Sequence, residues 1–145
     1  AHFPGSSGQP VAGLDLLDVT TDRLAQRAVG ELLADPTTPG LTQPLTGYEN
    51  HAGATAIGPA ARPLGTVRLG VGNGVRAGVQ AVGEVHEGAV QGNVVGTYLH
   101  GPGLARNPEL ADLLLSLVTG GPLAPFELPD VEALRAERLH AAGRS

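Results

Sequence analysis

Glycine and proline interrupt this chain far more often than they interrupt an ordinary globular domain. The 22 glycines and 12 prolines make up about 23% of the 145 residues, against roughly 12% in average proteins. Hydrophobic residues still account for 41% of the sequence, in clusters long enough to build a core. We therefore expect one folded domain, or a large piece of one, because this length suits a single core.

The charge and cysteine content exclude several classes of function. The net charge is −5 and no block of like charges is present, which argues against a nucleic-acid partner held through its phosphates. The absence of cysteine excludes a disulfide scaffold, a thiolate metal site and a cysteine nucleophile within these residues. No apolar run approaches the ~18 residues of a membrane-spanning helix, so we expect a cytoplasmic protein without a membrane span.

Several segments carry the patterns of strands or turns. Residues 14–20 form a short apolar run with a β-branched end, which predicts a strand. Residues 21–34 are ambiguous, because leucine and alanine recur at helical spacing while a glycine inside the run weakens a helix. Residues 64–74 predict a strand closed by a tight glycine turn, which lacks the Lys-Ser/Thr pair of a phosphate-binding loop. Residues 93–99 give the strongest strand pattern in the chain.

Two helices are predicted in the last third of the chain. Residues 107–119 place their leucines on one helical stripe, with Asn107 as the expected cap. Glu109 is expected to face the positive end of the helix dipole, and Gly120 to end the helix. A charged helix is predicted from residue 130 to about residue 142. The alternation of strands and helices favours an α/β fold with a mixed or parallel sheet.

His100 is the leading candidate for chemistry. It directly follows the strand predicted at residues 93–99, and in α/β sheets ligands bind beyond the carboxyl ends of the strands. An imidazole with an ordinary pKa near ~6.5 suits a general base at neutral pH. A structural histidine that caps a turn is the alternative from position alone. Arg27 is either an anion-binding side chain or a solvated charge on a strand.

A second polar cluster, at residues 47–53, lies between glycines and has the composition of a loop. It contains Glu49 and His51, and polar loop clusters often form binding surfaces; a hydrogen-bonded turn explains the pattern equally well. A metal site of Glu49, His51 and His100 is conceivable, but no ligand spacing supports it, so we expect no metal. The other histidines lack a partner pattern and are expected in loop or exposed positions: His2, His86 and His140.

Two segments resemble the signatures of a known family. GYENHAG (residues 47–53) and GTYLHGP (residues 96–102) resemble those of the cobyric-acid-synthase branch of class I glutamine amidotransferases. The order of segments over residues 13–118 is similar to that of the glutaminase subunit (GatD type) of lipid II isoglutaminyl synthase. The ENH triplet and the GNG turn favour that subunit over cobyric acid synthase itself.

The resemblance implies a fold and a set of site residues. The family fold is a flavodoxin-like, three-layer α/β sandwich, of which residues 1–145 would be the C-terminal portion. His100 matches the catalytic histidine. Arg27 resembles an arginine that holds the substrate, and a guanidinium suits the carboxylate of glutamine. Glu49 is a candidate for orienting the histidine, and His51 for lining the site.

The chain also departs from the family pattern in two ways. The cysteine nucleophile is absent, so residues 1–145 would follow the elbow that carries it. Many triad enzymes place an acidic residue two positions after the histidine, where this chain has Pro102. The cobyric-acid branch lacks that acid as well, which leaves the third catalytic group open.

The resemblance implies partners too. Glutamine would be hydrolysed to glutamate and ammonia without a cofactor in this subunit. A Mur-ligase-like synthetase subunit (MurT type) would use ATP, with magnesium, and that ammonia to amidate the D-glutamate of the lipid II stem peptide. Two alternatives stay open. One is amide transfer of the cobyric-acid type, and the other is a non-catalytic binding module that lacks the nucleophile and only positions a synthetase.

Overall fold

The computed structural model describes residues 2–4, 9–80, 82–124, 126 and 128–143. The strands in these ranges are β1 (His2–Pro4), β2 (Pro10–Ala12), β3 (Val19–Pro36), β4 (Leu45–Ile57), β5 (Gly65–Leu69), β6 (His86–Glu87), β7 (Ala89–Gln91) and β8 (Val94–Gly96). They are followed by helices α1 (Gly103–Arg106), α2 (Pro108–Thr119) and α3 (Pro129–Ala142).

Strand β3 is the centre of the main sheet. One of its edges pairs antiparallel with β4, from Val19↔Ile57 to Ala34↔Leu45. Along the rest of the sheet the order is β2-β1-β3-β5-β6, in which only the β1–β3 pair is parallel. Strands β7 and β8 form a separate antiparallel pair. The predicted α/β fold with a mixed sheet is confirmed, but the helices follow the strands and do not alternate with them.

The ambiguous segment 21–34 is a strand throughout. Its apolar run, Leu32 to Ala34, is buried between β4 and β5, and the ladder with β4 satisfies the backbone groups that a helix would have paired internally. The strand predicted at residues 14–20 begins only at Val19. Asp18 is instead held in a bend, because its amide donates to Gln91 Oε1 at 2.7 Å and its carboxylate accepts from the amide of Ala60 at 3.0 Å.

Two other segments differ from their predictions. Residues 47–53, expected as a loop, lie inside the 13-residue strand β4. The strong strand pattern at residues 93–99 gives a strand of three residues, Val94–Gly96, after which the chain leaves its partner. The glycine turn at residues 70–74 is confirmed, since the Gly74 amide donates to the Val71 carbonyl at 2.9 Å and Gly72 has a φ of +55°.

The core lies between the main sheet and α2. A cluster of buried side chains forms it: Ala34, Leu41, Leu45, Leu64, Val90 and Leu110. Both predicted helices are confirmed, and α2 ends at Gly120, whose φ of +76° is left-handed as expected for a helix end. Within the described part of the chain, no helix is long and apolar enough to cross a membrane.

The start of α2 differs from its prediction. Asn107 precedes the helix but its side chain makes no capping hydrogen bond. The amide instead clamps β4, accepting from the Thr46 amide at 2.8 Å and donating to the Thr46 carbonyl at 2.7 Å. Glu109 lies in the first turn of α2, as expected for an acid that faces the helix dipole, and its carboxylate also accepts from the backbone amides of Thr42 and Gln43, each at 2.8 Å. Tertiary contacts therefore replace local capping and attach α2 to the sheet.

Candidate active site

His100 lies on the free edge of β4, opposite Tyr48. The His100 amide donates to the Tyr48 carbonyl at 2.7 Å, and the Tyr48 amide donates to the His100 carbonyl at 3.4 Å. Residues that face each other in an antiparallel pair project to the same side of the sheet. The side chains of His100 and Tyr48, both exposed, are therefore neighbours on one face.

Arg27 reaches the same face from the other side of β4. A bulge between Arg23 and Ala28 takes Arg27 out of the regular β3–β4 register. Its Nε donates to Asn50 Oδ1 at 2.7 Å. Asn50 and Tyr48 are two residues apart on one strand, so they share a face. The structure thus brings Arg27 and His100 to a common exposed face, where they are about two strand spacings (roughly 10 Å) apart across β4 and about three residues (roughly 10 Å) apart along it. We call this surface the β4 outer face.

Glu49 and His51 project to the opposite side of β4, where both are buried. The Glu49 carboxylate accepts from the amides of Val71 and Gly72 at 2.8 and 2.9 Å, and so fixes the glycine turn. His51 Nε2 lies 3.6 Å from Glu49 Oε2. The structure therefore brings these two residues together but does not bring either to the His100 side chain.

The His51 ring is fixed on both of its sides. Its Nδ1 lies 3.0 Å from the Gly53 carbonyl, which can only accept, so this nitrogen carries the proton. The ring stacks on Tyr98, with centroids 3.7 Å apart and planes inclined by 16°. Among the described residues, no group of three or more His, Asp or Glu side chains is arranged to hold a metal ion.

A buried acid that sequence reasoning did not single out, Glu87, holds the segment before His100. Its side chain is inaccessible to solvent, and Oε1 accepts from the Thr97 hydroxyl at 2.5 Å and from the Tyr98 amide at 2.8 Å. Burial raises the pKa of the Glu87 carboxyl; these two hydrogen bonds oppose that rise, and the negative charge of Glu49 adds to it. An isolated acid before a glycine carries no local signal of such a role.

The segment after His100 is fixed to β4 by two further side chains that the sequence did not indicate. Arg106, at the end of α1, donates to Glu31 Oε2 at 2.5 Å and to Thr46 Oγ1 at 2.7 Å. Asn107, besides clamping Thr46, donates to the Gly103 carbonyl at 2.6 Å. His100 is therefore held between two fixed points, one on each side along the chain.

The remaining histidines lie on other elements of the fold. His2 and His86 lie in strands β1 and β6, not in loops. His86 is half-buried, paired with Thr66 in β5, and its Nδ1 has no hydrogen-bond partner. His140 is exposed near the end of α3, as expected.

Comparison with known proteins identifies the family. Residues 4–108 match the CobB/CobQ-like glutamine amidotransferase domain. The chain belongs to this family. The matched range includes both signature segments, residues 47–53 and 96–102, and also the separate position Arg27. The resemblance stated from the sequence is thereby confirmed.

Individual relatives of this amidotransferase chain fall into two groups. It is 33% identical over 135 residues to the lipid II isoglutaminyl synthase (glutamine-hydrolyzing) subunit GatD of Staphylococcus aureus, covering 91% of this chain and 51% of the relative. The GatD subunit of Streptococcus pneumoniae is 31% identical over 116 residues, which cover 79% of this chain and 41% of that subunit. Cobyric acid synthase of Sphingopyxis alaskensis is 37% identical over 110 residues, which cover 74% of this chain and 19% of that protein. The chain thus spans about half or less of each relative.

Proposed function

We propose that the whole protein to which these residues belong is the glutaminase subunit of a lipid II isoglutaminyl synthase. The observation that carries the proposal is the placement of His100 and Arg27 on the β4 outer face. The two GatD relatives, whose names specify glutamine hydrolysis, support it. Residues 1–145 are, in this proposal, the C-terminal portion of one amidotransferase domain.

Arg27 binds the carboxylate of glutamine in this proposal. Its Nε is already engaged by Asn50, which fixes the plane of the guanidinium. Nη2 also donates to the Asn50 carbonyl at 3.5 Å, so Nη1 and the second hydrogen of Nη2 are the groups that offer paired N–H donors, an arrangement that suits a carboxylate. The amide end of the glutamine extends across β4 past Tyr48 toward His100.

His100 moves the protons of the reaction. It removes the proton of the attacking thiol, and the thiolate adds to the amide carbon of glutamine. The resulting imidazolium returns that proton to the nitrogen as the C–N bond breaks, releasing ammonia and leaving a thioester. Water then hydrolyses the thioester to glutamate, with His100 as the base. No cysteine is present among these 145 residues, so the proposal assigns the thiol to another part of the whole protein.

The ammonia passes to a synthetase in this proposal. A Mur-ligase-like subunit (MurT type) binds ATP and magnesium and amidates the D-glutamate of the lipid II stem peptide. The glutaminase itself uses no cofactor and works in the cytoplasm, where glutamine and ATP are available. Glu49 and His51 support this site from the buried side of β4, where they fix the glycine turn and the strand.

An isotope-transfer experiment tests the proposal. The purified complex is given glutamine labelled with ¹⁵N at the amide, ATP, magnesium and lipid II, and the product is analysed by mass spectrometry. We expect one ¹⁵N in the D-isoglutamine of lipid II and none when glutamine is labelled only at the α-amino group. Unlabelled lipid II alongside released ¹⁵N-ammonia would contradict the coupling to this acceptor.

Amide transfer of the cobyric-acid type is the second candidate, because cobyric acid synthase matches 74% of the chain. The same labelled glutamine separates the two, with a corrinoid carboxylic acid as the competing acceptor. Label in the corrinoid and none in lipid II would favour this second function. Since the acceptor binds to the synthetase part, both candidates assign the same roles to His100 and Arg27.

A further inference from the structure

The backbone just before His100 has no strand partner. After β8 ends at Gly96, each of the next backbone amides finds a different acceptor. The Tyr98 amide donates to Glu87 Oε1 at 2.8 Å, and the Leu99 amide donates to Thr97 Oγ1 at 3.0 Å. The His100 amide donates to the Tyr48 carbonyl at 2.7 Å. Strand-like pairing resumes only at His100 itself, as an isolated bridge to Tyr48.

Glu87 connects these contacts. Oε1 accepts from both the Tyr98 amide and the Thr97 hydroxyl, and that hydroxyl in turn accepts from the Leu99 amide. One carboxyl oxygen therefore fixes residues 97–99, the whole connection between β8 and His100. The other oxygen, Oε2, is buried and has no hydrogen-bond partner among the residues that the structure describes. Burying an incompletely paired carboxyl is unfavourable, so this contact costs the fold some stability.

We propose that Glu87 is a positioning residue for His100, which sets the place of the imidazole over the β4 outer face through Thr97 and Tyr98. The inference rests on the proposed function, since it assigns the contact to proton transfer. Because Glu87 lies on the buried side, it acts through the Thr97 hydroxyl and the Tyr98 amide and not by contact with the imidazole. The role requires an acceptor at Oε1 and does not require a negative charge.

The requirement for an acceptor gives two informative substitutions at Glu87. Glu87→Gln keeps a carbonyl oxygen for Thr97 and Tyr98, whereas Glu87→Leu has a similar volume and no acceptor. Thr97→Val removes only the hydroxyl and tests the same contact with little risk to folding, because Thr97 is exposed. Thr37→Val is the matched control, since Thr37 is also exposed and its hydroxyl donates to the Pro63 carbonyl at 2.9 Å, away from residues 97–100.

The assay measures kcat and KM for glutamine in the whole protein with its synthetase, together with the thermal midpoint of each variant. A shift of the imidazole slows proton transfer and leaves carboxylate binding at Arg27 intact. We expect kcat to fall about 10-fold in Thr97→Val and roughly 10–100-fold in Glu87→Leu, with KM within about 2-fold. Glu87→Gln and Thr37→Val should keep kcat within about 3-fold of the parent.

Several results would overturn the inference. A normal kcat in Thr97→Val, or an equal fall in Thr37→Val, would show that the contact with Glu87 does not position His100. If Glu87→Leu does not fold, Thr97→Val and Glu87→Gln decide the question, and a Gln variant as slow as His100→Ala would contradict the acceptor role. A parent enzyme whose activity survives His100→Ala would refute the proposed function itself, which separates the two failures.

Discussion

Removing Glu31 should destabilise the protein more than removing its partner, Arg106. Only 7% of the Arg106 side chain is exposed, against 42% for Glu31. Besides Glu31 the buried guanidinium has Thr46 Oγ1 as an acceptor, and its Nε has none. Loss of Glu31 leaves a buried cation with one neutral side-chain partner, whereas loss of Arg106 returns a carboxylate to water.

The exposures of the two side chains set the magnitudes. Removing one partner of a buried pair costs about 3–5 kcal/mol. We expect about 2–3 kcal/mol for Glu31→Gln, because water reaches the carboxylate and the Coulomb term is screened. Arg106→Met removes the desolvated charge and keeps most of the volume, so the expected loss is about 1 kcal/mol or less.

Urea unfolding of both single variants and the double variant measures these losses. Asp35→Asn serves as the control, because Asp35 pairs with Arg68 on the surface, where both side chains are about half exposed; it should cost less than about 1 kcal/mol. A loss in Arg106→Met equal to or larger than that in Glu31→Gln would refute the argument from unequal burial.

Two further outcomes are expected. Arg27→Ala should raise KM for glutamine, whether or not kcat also falls, because a carboxylate contact contributes to ground-state binding. Steady-state kinetics that show a change in kcat alone would contradict this role. Glu87→Gln should change how stability depends on pH. Because the pKa of Glu87 is raised in the folded state, the parent loses stability as pH rises from the ordinary pKa of a glutamate to the raised one, by about 1.4 kcal/mol per unit of the rise. The Gln variant should lack that loss, and urea unfolding at pH 4.5 and pH 8 checks it.

Local sequence patterns predicted an element correctly where no distant contact competed with them. The helices found at Pro108–Thr119 and Pro129–Ala142 follow from periodicity and from the glycines and prolines that bound them. The glycine turn at residues 70–74 follows from the need for left-handed backbone at Gly72. His100 was singled out by its position after a predicted strand, and the family motif agreed with that choice.

Long-range contacts decided the remaining elements. Residues 21–34 form a strand because β4 pairs along them, and no local pattern contains that information. The strand expected at residues 93–99 is cut short because Glu87 takes the Tyr98 amide. The Asn107 side chain binds the backbone of Thr46, 61 residues away, and does not cap the helix. In each case a distant partner competed successfully with a local preference.

In the candidate site, too, local patterns predicted some features and long-range contacts decided the others. Residues 47–53 were interpreted as a loop, so the alternation of their side chains was not used. As a strand, the segment places Tyr48 and Asn50 on the face of His100, and Glu49 and His51 on the buried side. The pairing of Arg27 with Asn50 depends on the bulge in β3. No pattern in the sequence marks that bulge.

The most direct test of the proposed chemistry compares two nitrogen sources in one variant. In the whole protein with its synthetase, His100→Ala should lower glutamine hydrolysis by about 10²–10⁴-fold, the usual contribution of a positioned acid–base group. Amidation of lipid II driven by glutamine should fall with it, while amidation driven by ammonium chloride should stay at the parent rate, because only ammonia production is lost. A His100→Ala enzyme that hydrolyses glutamine at near the parent rate would contradict the account.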